Sequence, residues 1–99
     1  MKPLTHHPAS ETEARDAIDW YWGQSSLAPL DFVDELDIAF ERLRAHPQAC
    51  PSYLHGTRRI LLNRFPFSIV FRERLHDIQI IAVAHAKRRP GYWAKRLKQ

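Results

Sequence analysis

Residues 65–85 read FPFSIVFRERLHDIQIIAVAH, and the period of this stretch decides the fold. Phe65, Phe67, Ile69 and Phe71 alternate with their neighbours, the two-residue period of a strand with one face on a core. After the polar turn ERLHD comes a run that should be buried, with Ile78, Ile80, Ala82 and Ala84 on one side and Ile81 and Val83 on the other. Upstream, TRRILL is rich in strand formers and is separated from the first run by the polar pair NR. Residues 57–86 therefore predict three sequential strands, an antiparallel meander. Arg58 and Arg59 are strand neighbours and must point to opposite faces. Which of them lies on a functional surface stays open at this stage.

Before residue 47 the period is helical. In PASETEARDAIDWYW, Ala14, Ala17, Ile18, Tyr21 and Trp22 recur on one face, and Ser10 with Glu13 fits a capping box at the helix start. GQSSLAP breaks this helix. Ser26 is placed to cap the next one, and Pro29 suits its first turn. Phe32, Val33, Leu36, Ala39, Phe40 and Leu43 form the second apolar stripe, with Asp31, Asp34, Glu35, Asp37 and Glu41 expected to face water. Pro47 closes that helix, and HPQACPSYLHG reads as a loop. The short KPLTHH is a candidate N-terminal edge strand. The expected architecture is α+β: an edge strand, an antiparallel helical hairpin covering one face of a three-stranded antiparallel sheet, and a short basic C-terminal tail or helix. The 99 residues predict a single domain, 1–99, with a modest core, so function belongs on an open surface or groove.

Charge is divided unevenly. Residues 1–54 hold four Lys/Arg against nine Asp/Glu, a charge of −5, and residues 55–99 hold eleven against two, a charge of +9. A basic half points to an anionic partner such as nucleic acid, the ribosome or an acidic protein segment. No run approaches the ~20 apolar residues of a membrane span, and MKPLTHHPAS lacks the apolar core of a secretory signal. Cys50, the one cysteine, excludes an internal disulfide and fits a reducing cytoplasm. His6 and His7, and the loosely spaced His46, Cys50 and His55, lack the spacing of a zinc site, so neither metal nor cofactor is expected.

The order of these segments resembles the RelE/ParE toxin superfamily of type II toxin–antitoxin systems. DAIDWYW resembles its first helix and FVDELDIAFERLRAHPQAC its second. TRRILLNRFPFSIVFRE resembles its basic strand and the Phe-Pro-Phe strand that follows, and IAVAHAKRRPGYWAKR its last strand and tail. The likeness spans nearly the whole chain. It implies a cytoplasmic bacterial toxin, neutralised by a cognate antitoxin in a hetero-oligomer.

The segment HAKRRPGYW, residues 85–93, places a histidine, three cations and two aromatics just past the core. This ending is closer to the ParE-like branch, which implies inhibition of DNA gyrase without catalysis. Target-binding candidates are then Arg64, Arg72, Lys87, Arg88, Arg89, Tyr92 and Trp93, with Trp93 also able to anchor the exit of the chain. The alternative is the RelE-like branch, a metal-independent, ribosome-dependent mRNA endoribonuclease in which a ribose 2′-hydroxyl attacks the adjacent phosphate. That chemistry needs proton transfer and cations for the transition state. Its candidates are His85 or Tyr92 for the proton and Arg64, Arg72, Lys87 or Arg88 for the phosphate.

Overall fold

The computed structural model describes residues 1–24 and 27–99. A short strand β1 (Leu4–His6) leads into helix α1 (Pro8–Trp22) and helix α2 (Ala28–Ala45), followed by strands β2 (Arg58–Leu61), β3 (Phe67–Glu73) and β4 (Ile78–His85). The sheet order is β1-β4-β3-β2. The last three strands form the expected antiparallel meander, and β1 joins as a parallel edge strand beside β4. The helical hairpin covers one face, as expected, and the C-terminal tail covers part of the other.

Local chemistry at the start of α1 differs from the expected capping box. His7 is the N-cap, in extended conformation, and its Nδ1 accepts from the Ala9 amide at 3.1 Å. Pro8 occupies the first helical position, where its fixed φ is preorganised and its missing N–H costs nothing. Ser10 thus lies inside the first turn, buried, with its hydroxyl donating to the His7 carbonyl at 2.7 Å. Glu13 is released from capping and acts elsewhere. At the other end, Tyr21 packs on Phe32 and Phe65 at ring-centroid distances of 5.3 and 4.9 Å. Trp22, expected on the same apolar face, lies roughly 100° further round the helix and is 58% exposed.

Helix α2 buries Phe32, Leu36, Ala39 and Leu43, with Val33 and Phe40 half-buried, and Pro29 sits in its first turn. Leu27 is the N-cap, and Ser26, the expected cap, lies outside the described residues. Asp34, Asp37 and Glu41 face water, but Glu35 does not. It is buried and accepts from the backbone amides of Asn63 and Arg64 and from Arg64 Nε at 3.1 Å. Burial pushes its pKa up, yet these bonds outweigh that and hold the carboxyl below its usual range. Glu35 thereby fastens the β2–β3 turn to α2.

The faces of β4 also depart from simple alternation. Val70 pairs with Ala82 and Phe71 with Ile80, leaving Ile81 as an extra residue. This bulge reverses the phase of everything after it. Ile78, Ile80 and Val83 turn to the helices with Ile69 and Phe71. Ile81, Ala82 and Ala84 turn to the opposite face, where with Val70 and Trp93 they form a second, smaller core. Ala82 and Ala84 are thus parted from Ile78 and Ile80, with which strict alternation had grouped them. On β2, Arg58 lies opposite Phe71 and Arg59 opposite Val70, so the two arginines do face opposite ways. Arg58 bonds the Cys50 carbonyl at 2.7 Å, while Arg59 is on the tail-covered side.

At the β3–β4 turn, Asp77 accepts from Arg74 Nε at 2.7 Å, from Arg74 Nη2 at 2.5 Å and from the Thr5 hydroxyl at 2.6 Å. The Arg74 bonds first, then the Thr5 bond, hold its pKa down at about 2. A folded carboxyl that titrates below the unfolded one contributes stability that is complete above ~pH 4 and fades as the pH falls toward 2. Asp77→Asn is therefore expected to cost about 2 kcal/mol at pH 6 and almost nothing near pH 2, checked by urea unfolding at both pH values.

Candidate functional site

Strand β1 runs out at His6, and the His7 amide makes the last bond on that side, to the Ile80 carbonyl at 2.9 Å. Beyond it, β4 finds side chains in place of a strand. The Val83 amide donates to Glu13 Oε1 at 3.1 Å, and the Ile81 carbonyl accepts from Arg96 Nη1 at 2.9 Å. Arg96 in turn grips both Glu13 oxygens, at 2.8 and 3.0 Å, and Tyr92 donates its hydroxyl to Glu13 Oε2 at 2.6 Å. One carboxylate on α1 thus closes the open edge of β4 and clamps the tail. The Glu13 bond raises the Arg96 pKa, keeping the guanidinium charged. Burial, then the Glu13 bond, pushes the Tyr92 hydroxyl far above its ordinary value.

A second clamp holds the chain end. Arg72 donates to Gln79 Oε1 at 2.9 Å, to the Leu97 carbonyl at 3.0 Å and to the Gln99 carbonyl at 3.5 Å. The Gln99 side-chain oxygen accepts from His7 Nε2 at 2.5 Å; with Nδ1 accepting from Ala9, the ring proton sits on Nε2. Between the clamps, Gly91 takes a left-handed turn (φ 80°) and Trp93 drops onto the second core at 1% exposure. The Trp93 ring meets Tyr53 and His55, both at 5.9 Å. From this position Trp93 anchors the chain and offers no surface to a target.

Past Trp93 the clamped tail exposes Lys95 and Lys98, and just past β4 it presents three cations, Lys87, Arg88 and Arg89, all exposed. Among the described residues, none of the three has a carboxylate within ion-pair distance. Arg88 and Arg89 border a shallow cleft of about 90 Å³ on the tail-covered face, with Arg59, Ser68, His85 and Tyr92. Half-buried His85 accepts from the Lys87 amide through Nδ1 at 3.0 Å and meets the Phe67 ring at 5.0 Å. Three candidates are not brought to this cleft. Lys87, exposed beside it, is outside its lining. Arg64 is held at the β2–β3 turn by Glu35 and, at 3.8 Å, Asp31, and Arg72 is spent on the tail.

Arg96 and the clamping role of Glu13 escaped the sequence reading. The Glu13–Arg96 pair spans 83 positions; nothing local marks Arg96, and Glu13 reads locally as a capping-box residue. Arg59 was bracketed by the alternation argument, which needed the strand's register to choose a face. Glu13→Ala would strand the partly buried Arg96 and the Val83 amide, an expected loss of about 2–3 kcal/mol. Hydrogen exchange should show the Val83 amide and residues 92–98 opening first, while β3 stays protected.

Comparisons with known proteins agree with this architecture. The family model described as ParE toxin of type II toxin-antitoxin system, parDE, matches residues 4–90. A solved structure described as the chromosomal ParDE TA system from P. aeruginosa superposes with a TM-score of 0.65 at 22% identity, covering 88% of this chain and 98% of that one. It shares the fold. No curated protein matches the sequence.

Proposed function

The chain belongs to the ParE toxin family of type II toxin-antitoxin systems, and on that premise we propose that it arrests growth by inhibiting DNA gyrase in the cytoplasm, without catalysis. The observation that carries this reading is the division of labour in the tail. Two of the RNase candidates are occupied with structure. The Tyr92 hydroxyl is donated to Glu13, and all the bonding of Arg72 goes to Gln79 and the chain end. Within residues 85–93 the cations left over are Lys87, Arg88 and Arg89, which suit attraction to an anionic surface better than proton transfer. These three, with the ring of Tyr92, are the proposed target contacts.

A cognate antitoxin is the expected partner. An acidic, partly disordered segment that folds as it binds would match the charge of +9 on residues 55–99, giving a toxin–antitoxin hetero-oligomer. Expression of the chain alone is expected to stop bacterial growth, and co-expression of the antitoxin to restore it.

Gyrase supercoiling and translating ribosomes, run in parallel with mRNA read by primer extension, separate the two branches. Inhibited supercoiling with intact mRNA is the expected result, and codon-positioned cuts would overturn it in favour of the ribosome-dependent endoribonuclease. Arg88→Ala and Arg89→Ala should each weaken inhibition in a salt-sensitive way. Tyr92→Phe keeps the ring and should alter inhibition only through tail stability, whereas loss of a catalytic proton donor would cost ~10²–10⁴ in rate.

A further inference from the structure

We propose that the cleft on the tail-covered face is a phosphate-binding site in which Arg59 and Arg88 together grip a backbone phosphate of duplex DNA. The proposal rests on reading this face as the effector surface of the toxin. Its basis is how the two guanidiniums are held. Arg59 lies over the Tyr53 ring at 4.1 Å from its centroid, and Arg88 over the Tyr92 ring at 3.8 Å. Tyr53 is braced against buried Trp93, and Tyr92 is fixed by its bond to Glu13. A guanidinium stacked on a ring is oriented through its face, and its N–H edge stays free.

Stacking combined with that freedom sets the pair apart. Arg58, Arg64, Arg72, Arg74 and Arg96 all give side-chain bonds to backbone carbonyls or carboxylates. Among the described residues, the guanidiniums of Arg59 and Arg88 stack on rings but make no hydrogen bond or ion pair, although both border one cleft. Arg89 and Ser68 border it too, and among the described residues no carboxylate does. Two preoriented forks beside a hydroxyl match the donor needs of a tetrahedral oxyanion, and forks bind phosphate in bidentate fashion. The volume of about 90 Å³ admits an oxyanion head rather than a peptide with its side chains. The clamps of the tail therefore have a purpose beyond stability: they hold Tyr92, and through it Arg88, in register with Arg59 on β2.

The test uses the purified full chain without gyrase, so that it stands apart from the inhibition assay. A fluorescent DNA duplex is followed by anisotropy across a salt series, with pyrophosphate and an oligoglutamate peptide as competitors. Displacement by pyrophosphate and much weaker displacement by oligoglutamate are expected. Arg59→Lys and Arg88→Lys keep the charge but lose the fork. Each should weaken duplex binding by about tenfold or more with little change in salt slope. In the unmodified chain, pyrophosphate should shift the backbone amide resonances of Arg59, Ser68 and Arg88, a readout that needs no variant. Lysine variants that bind within twofold of the parent, pyrophosphate shifts confined to other residues, or equal displacement by oligoglutamate would each overturn the site. Loss of duplex binding in these variants with gyrase inhibition unchanged would leave the gyrase reading standing and remove this cleft from it. Duplex binding through the cleft by a chain that does not inhibit gyrase would do the reverse.

Discussion

The carboxylate of Glu13 joins three parts of the chain that sequence keeps far apart. It projects from α1, receives the Val83 amide of the strand beneath, and holds Tyr92 and Arg96 of the tail. A small sheet whose first strand has only three residues would otherwise leave polar edge groups of β4 without partners. Partly buried backbone groups of that kind are costly unless paired. An ion pair supplies the missing partners, and in doing so it fixes where the tail lies. The edge of the sheet and the position of the effector segment are thus settled by one cluster.

The second face of the sheet follows from the same arrangement. An antiparallel sheet can leave one face to water, but the bulge at Ile81 turns Ile81, Ala82 and Ala84 outward beside Val70. Such a surface needs covering. Trp93 covers it, with Tyr53, Tyr92 and Leu97 around it. Trp93 is therefore a core residue of a small second layer, with Tyr92 half-buried against it, and the cations beside them are what remains for solvent or a partner.

Cations in the basic half divide into two sets. Arg58, Arg64, Arg72, Arg74 and Arg96 are structural, each bonded to a carbonyl or a carboxylate. Arg59 and Arg88 are stacked on tyrosines, and Lys87, Arg89, Lys95 and Lys98 stand exposed. Formal charge alone cannot draw this line, because a guanidinium bonded to a carbonyl counts the same as a free one. The charge of +9 on residues 55–99 thus overstates what a partner meets, and the available part lies beside the end of β4 and along the tail.

The periods of the sequence determined the two helices, the three-stranded meander and the side of the sheet that the hairpin covers. Those features depend on spacing along the chain, and the stripes of Phe32 to Leu43 and Phe65 to Phe71 report it directly. The motifs also carried the family likeness, and alternation put Arg58 and Arg59 on opposite faces. Tertiary structure decided the rest. A single unpaired residue, Ile81, reversed the facing of Ala82 and Ala84, which no alternating pattern can announce. His7 with Pro8 displaced Ser10 from the helix cap, and Glu35 turned inward because distant amides at Asn63 and Arg64 needed an acceptor. Glu13 found its partners some 70 to 83 positions away. Periodicity records which way a side chain points within its own element, but a polar group's role depends on which unpaired partner the fold brings to it, and that partner is chosen only when the layers close.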